Sequence, residues 1–193
     1  LANTLVFMDH PQTVWKAVPF ILLEAMAWDP TYYATLYVPR GYTDKTDWVP
    51  TRKILFYRLL RDLKGHRVAG SCPDPDIQMR AFADGRTLFV ILNNVSNQTK
   101  SVALDMPLSA AMLIRRFGRN SDYTPYLTEE PLPTLDGLTL RGREAVVIKA
   151  TYPQTLEPRE TIDEVPCYGD RLGVSIETEP ARFTVSGPDV AGL

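Results

Sequence analysis

The chain has 193 residues, enough for one or two domains, and its 45% hydrophobic and 23% charged content is ordinary for a globular protein. A formal charge of −2 argues against nucleic acid or an anionic membrane as the main partner, and no apolar run is long enough to span a bilayer. Two widely separated cysteines, Cys72 and Cys167, give no metal spacing and read as unpaired thiols, and His10 and His66 cannot build a His-rich metal site unaided. The sequence opens at Leu1 without a signal peptide and is apolar by Leu5-Val6-Phe7-Met8, which suits a fragment or a processed product.

Residues 5–17 read as a short helix or turn followed by extended chain, with Asp9 as a cap ahead of Pro11. Residues 18–28 begin as the continuous apolar run Val18-Pro19-Phe20-Ile21-Leu22-Leu23. This is the pattern of a strand buried on both faces, with a buried helix as the competing reading. A loop rich in aromatic residues follows. Trp28, Tyr32, Tyr33, Tyr37, Tyr42 and Trp48 place six large rings within 21 residues. An amphipathic helix is predicted over 51–64, with Leu55, Leu59 and Leu63 on one face and Gly65 as its stop. Strand, decorated loop and helix make one unit of a β/α barrel, in which loops at the C-terminal strand ends carry the site.

Beyond Gly70 the period shifts to two. Ile77, Met79, Ala81 and Ala83 alternate with polar or opposite-facing residues, and Asp84-Gly85 signals a hairpin into Leu88–Leu92. Asn93–Asn97 reads as a polar loop, Val102, Leu104 and Met106 alternate again, and a strand is predicted over Ala111–Phe117. A further hairpin is expected to pair Leu138–Leu140 with Ala145–Ile148 through Arg141-Gly142-Arg143. Short strands at this spacing indicate an antiparallel sandwich. Residues 151–170 read as a linker, and Val174–Glu177 and Phe183–Val185 as the start of another β unit. The expected fold class is α/β plus all-β: the last unit of a (β/α)8 barrel over 1–70, a β-sandwich over 71–155, and over 156–193 a linker with the beginning of a further β domain.

There is no Gly-rich phosphate loop, no Gly-x-Ser-x-Gly elbow, no His-Glu-x-x-His and no Cys-x-x-Cys, so nucleotide binding, serine hydrolysis and zinc catalysis are disfavoured. Asp74-Pro75-Asp76 carries a weak calcium spacing and reads more simply as a capped strand start. The 28–48 loop is the best functional candidate. Aromatic faces pack on the C–H faces of sugars while a polar rim holds the hydroxyls. On that reading Trp28, Trp48 and Tyr42 supply rings and Arg40, Asp44, Lys45 and Asp47 the rim, against the plainer alternative of a loop pinned by buried tyrosines. Glu24, a carboxylate in an apolar strand, must be paired, neutralised or facing a cavity. His10 is a candidate loop hydrogen-bonder, with a surface histidine the simpler reading. No second carboxylate on a strand end completes a glycosidase pair.

The segments Phe7-Met8-Asp9-His10-Pro11, Lys16–Phe20, Phe56–Val68 and Asp74–Ile77 leading into Leu88–Asn94 resemble, in order and spacing, the C-terminal part of glycoside hydrolase family 86, the β-agarases and β-porphyranases. The resemblance covers roughly residues 5–105. It implies a retaining endo-hydrolase of red-algal galactan, a barrel followed by β-sandwich domains, no cofactor or metal, and an extracellular or periplasmic location. It also implies that residues 18–28 are the eighth barrel strand and 51–64 the last helix. Both catalytic glutamates then precede Leu1, and Glu24, Trp28, Arg40, Tyr42, Trp48 and His10 are left as substrate-binding candidates. The partners implied are the polysaccharide and the upstream part of the same barrel. The alternative from another class is a non-catalytic carbohydrate-binding β-sandwich module.

Overall fold

The computed structural model describes residues 1–10, 14, 17, 20, 35–40, 44–107, 110–156, 168–169 and 185–186. Two compact units are present, Leu1–Ile162 and Asp163–Leu193. The first contains helix α1 (Ala2–Met8), strands β1 (Tyr37–Arg40) and β2 (Asp44–Pro50), helix α2 (Ile54–Leu59), and strands β3 (His66–Val68), β4 (Ile77–Asp84), β5 (Thr87–Asn94), β6 (Lys100–Ser101), β7 (Ala111–Arg119), β8 (Pro125–Pro131), β9 (Thr139–Leu140) and β10 (Ala145–Thr151). In the second, β11 (Tyr168–Gly169) and β12 (Val185–Ser186) pair antiparallel. The described residues are thus mostly antiparallel β with two short helices. None of their helices is long and apolar enough to cross a membrane.

A six-stranded antiparallel sheet of order β3-β4-β5-β10-β7-β8 dominates. Its central strands carry near-continuous apolar runs because both faces are covered. Val90, Leu92, Ile114, Val146 and Ile148 point to one side, where Leu138 and Leu140 complete the sandwich core. Phe89, Ile91 and Val147 point to the other, against Leu5 of α1 and Leu59 of α2. Each such side chain withdrawn from water contributes about 1.5–3 kcal/mol. The Asp84-Gly85 signal matches the β4–β5 hairpin, whose loop is Gly85-Arg86. Gly85 takes φ +55° at its first position and Asp84 pairs with Thr87.

Several local expectations are corrected. The helix predicted over 51–64 is helical only over Ile54–Leu59, because Leu60 leaves helical geometry and Asp62 takes φ +63°. Leu60 and Leu63 still pack on the face that Leu59 covers, so their apolar spacing persists through a turn. The predicted hairpin of 138–140 with 145–148 does not form. β9 pairs with β6 in a separate two-stranded sheet, while β10 lies between β5 and β7. The chain changes layers at 141–144, where the Glu144 N–H donates to the Arg141 carbonyl at 3.1 Å.

Asp9 is the C-cap of α1 rather than a cap for a following helix. Its carboxylate takes hydrogen bonds from Arg80 and pairs with Arg67 Nη1 at 3.0 Å, tying α1 to the sheet. Asn93 and Asn94 are the last residues of β5, not loop. Asn94 is buried and its amide donates to the carbonyls of Gln98 and Arg141 at 2.7 and 3.0 Å. The linker reading fails at its start, since buried Tyr152 donates its N–H to the Arg86 carbonyl at 2.9 Å and its hydroxyl to that of Pro107 at 3.1 Å. Past Ser101 the alternating Val102, Leu104 and Met106 make no strand but pack on the sandwich core. At the Asp74-Pro75-Asp76 turn the Asp76 N–H bonds Asp74 Oδ1 at 2.9 Å, and Lys100 Nζ lies 3.0 and 2.7 Å from the two carboxylates. One internal ammonium thus bridges the two carboxylates and offsets one of their two charges.

Candidate functional site

The rings and rim expected in the 28–48 loop are partly described, as the β1–β2 hairpin. Its register pairs Tyr37 with Pro50, Val38 with Val49, Pro39 with Trp48 and Arg40 with Asp44, with a bulge between Pro39 and Arg40. A bulge bends the strand and re-aims the side chains beside it. Val38 and Pro39 are buried, whereas Arg40 is exposed and Trp48 half-buried. Proline donates nothing to a ladder, so Pro39 and Pro50 suit a two-stranded sheet in which each strand is an edge.

Arg40 Nε donates to Asp47 Oδ2, and the hydrogen bond and charge of that carboxylate hold the guanidinium above its ordinary pKa. Both side chains are largely exposed, so the pair adds little stability but fixes Arg40 as a donor beside Trp48. The base of the hairpin is anchored by Thr51, whose Oγ1 donates to the Thr35 carbonyl at 2.8 Å and whose N–H donates to that of Leu36 at 2.7 Å. The Lys53 N–H donates to the same Oγ1 at 3.3 Å, so the hairpin runs directly into α2. Phe20 packs edge-on against Phe56 at 5.7 Å and Tyr57 at 6.2 Å. With Thr51, Arg52, Lys53, Phe56, Phe117 and Pro125, Leu1 and Phe20 border an apolar cleft of about 400 Å³.

Of the six site residues expected from sequence, the structure brings Arg40 and Trp48 together on one hairpin. His10 is exposed just past α1. Its N–H donates to the Phe7 carbonyl at 3.2 Å, and among the described residues no hydrogen bond or ion pair joins it to the hairpin. Glu24, Trp28 and Tyr42 lie outside the described residues.

A polar cleft of about 480 Å³, which the sequence reading does not gather, opens where β7 and β8 overhang β9. Glu144, 97% buried at its side chain, forms the floor. Its carboxylate accepts from the Tyr126 hydroxyl at 2.9 Å, Arg116 Nη1 at 3.3 Å and the Arg141 N–H at 2.9 Å. Arg116 Nη1 also donates to the Thr139 carbonyl at 3.0 Å, joining the two sheets. Burial and the Glu144 carboxylate push the Tyr126 hydroxyl above its ordinary pKa, with Arg141 acting against them. Opposite Tyr126 stands Gly118, where a Cβ would come within 2.6 Å of that hydroxyl, so any larger residue would force the ring to move. The signal was Gly118 at mid-strand, but its partner lies across a strand pair that sequence alone does not register.

Residues 76–172 match the family model described as porphyranase beta-sandwich domain 1. The chain is 27% identical over 196 residues to a funoran endo-beta-hydrolase of Wenyingzhuangia aestuarii, covering 93% of this chain and 26% of that protein. It is 27% identical over 210 residues to the beta-agarase AgaO of Microbulbifer thermotolerans, covering 96% and 17%. Among solved structures, that of BuGH86wt in complex with neoagarooctaose superposes with a TM-score of 0.72 at 25% identity, covering 86% of this chain and 29% of that one. The chain thus spans about a quarter or less of the length of the curated relatives it matches. The match over half the chain to a porphyranase sandwich domain, together with the agreement in fold, shows that the chain belongs to glycoside hydrolase family 86, in its C-terminal part.

Proposed function

We propose that this chain is part of an endo-acting glycoside hydrolase of red-algal galactan, agarose or porphyran. It would cleave β-linkages with retention through two carboxylates that lie upstream of Leu1 in a longer protein. The observation that carries this reading is the match of residues 76–172 to the porphyranase sandwich domain. The names of the two relatives, a funoran hydrolase and an agarase, support the substrate class. Residues 1–70 are the end of the catalytic barrel, 71–155 the accessory sandwich and 156–193 a linker with the start of a further β domain. Residues 18–28 are the barrel strand of this reading; Phe20, the one described residue among them, packs edge-on against Phe56 and Tyr57 of α2. The likeness to galactan hydrolases is the basis for reading the location as extracellular or periplasmic.

Within this reading the β1–β2 hairpin is a wall of the substrate cleft. Trp48 offers its face to a sugar ring and Arg40, oriented by Asp47, offers donors to its hydroxyls. Trp28, Tyr42, Glu24 and His10 complete the substrate-binding set. The test is a kinetic comparison, on agarose and porphyran, of the protein comprising this chain and its upstream region, unaltered and with Trp48→Ala. Loss of one stacked ring is expected to raise KM by about fivefold or more at unchanged thermal stability. An unchanged KM would remove the hairpin from the substrate cleft.

A further inference from the structure

We propose that the polar cleft between β7, β8 and β9 is a second saccharide site, taking an uncharged, hydroxyl-rich stretch of polysaccharide away from the hairpin. Its volume of about 480 Å³ falls in the range of small-molecule sites. Two guanidinium groups, Arg116 and Arg141, stand against two carboxylates, Glu130 and Glu144, so the lining carries no net charge. Phosphate or sulfate groups gain nothing from such a balance. A sugar does, because each of its hydroxyls both donates and accepts, and the Asn120 amide and the Thr128 and Thr139 hydroxyls on the same lining do likewise.

Pre-organisation supports the same conclusion. The buried Glu144 carboxylate holds Tyr126, Arg116 and the Arg141 backbone in one arrangement before any ligand arrives; Arg116 and Tyr126 sit on β7 and β8, and Arg141 and Glu144 bracket the short turn between β9 and β10. Ordering such groups beforehand lowers the entropic cost of binding. A purely structural tie between the sheets would need Glu144, Arg116 and the Thr139 carbonyl. It would not need the exposed side chains of Arg141, Thr128 and Asn120 around an open cleft.

The choice of polymer rests on the galactan reading, so retention and cleavage are measured separately. The probe is agarose, with porphyran as the sulfated comparison, in affinity electrophoresis of the protein comprising this chain and its upstream region. Thr128→Arg fills the cleft and leaves the Glu144 hydrogen bonds intact; Arg141→Ala removes an exposed guanidinium and its contact with the Tyr126 hydroxyl while the Arg141 N–H keeps its bond to Glu144. Retention by agarose is expected to weaken about tenfold in the first and about fivefold in the second, while cleavage of short oligosaccharides and the melting temperature stay unchanged. Trp48→Ala is expected to lower cleavage and keep this retention. Undiminished retention in both cleft variants, stronger retention by porphyran than by agarose, or no retention of the unaltered protein by agarose would each overturn the proposal. Cleavage of neither polymer with retention intact would count against the hydrolase reading and leave the cleft standing.

Discussion

Arg115 makes more charged contacts than any other buried residue described. Its side chain is 6% exposed, and it donates from Nη1 to the Leu59 and Arg61 carbonyls at 3.2 and 2.7 Å, from Nη2 to Asp62 at 2.9 Å, and from Nε to Glu129. The carbonyls belong to the turn that ends α2, so one guanidinium from the sheet closes a turn whose Asp62 has positive φ. Replacing Arg115 by Met keeps volume but leaves the Leu59 and Arg61 carbonyls without this donor and each carboxylate with one donor fewer, Asp62 keeping Lys149 and Glu129 keeping Arg61. A loss of about 2–3 kcal/mol is expected in urea unfolding, moderated because the carboxylates keep some contact with water. A change below about 0.5 kcal/mol would mean that water substitutes freely for the guanidinium.

The connection from α2 to the sheet should make the fold acid-sensitive. Burial alone would raise the Asp62 pKa, but hydrogen bonds from Arg115 and Lys149 and their charges outweigh it and hold the carboxyl below its ordinary 3.8. Glu129 is held below 4.5, chiefly by its hydrogen bond from Arg115 and further by Arg61. A carboxyl depressed in the folded state stabilises it fully above the unfolded pKa, and that contribution is lost as pH falls through the folded one. Melting temperature is therefore expected to fall between about pH 5 and pH 3, and Asp62→Asn, which tolerates the same backbone, to shrink that fall. An identical slope in the variant would place the acid sensitivity elsewhere.

These elements also mark what sequence could reveal. The β4–β5 hairpin was legible because Asp84-Gly85 separates two strand-like runs, and β7 because its apolar residues are dense. β8 was not, since Pro-Tyr-Leu-Thr-Glu-Glu-Pro is an exposed edge with prolines at both ends. The false hairpin at 138–148 arose because Leu138 and Leu140 do meet Val146 and Ile148, but across the core rather than along a ladder.

At the scale of the molecule, one sheet carries two different coverings, helices on one face and the small β6–β9 sheet on the other. The helix-covered side leads through α2 to the hairpin with Trp48 and Arg40; the sandwich side ends in the cleft around Glu144. Continuous apolar runs such as Leu88–Leu92 require cover on both faces; the sequence points to a sandwich partner on one of them, whereas the helix of 51–64 is expected from it in a barrel and not on this sheet. The cleft lay beyond reach, since Arg116, Tyr126 and Glu144 are far apart in sequence and unremarkable singly. The proposed division of labour puts polymer cleavage beside the hairpin and polymer retention on the sandwich. Its most direct test is the release of reducing ends from agarose and porphyran by the protein comprising this chain and its upstream region, with this chain alone as the control. Release from one or both galactans that requires the upstream region is expected. Release by this chain alone would contradict the placement of the catalytic carboxylates before Leu1, and release by neither would contradict the hydrolase reading itself.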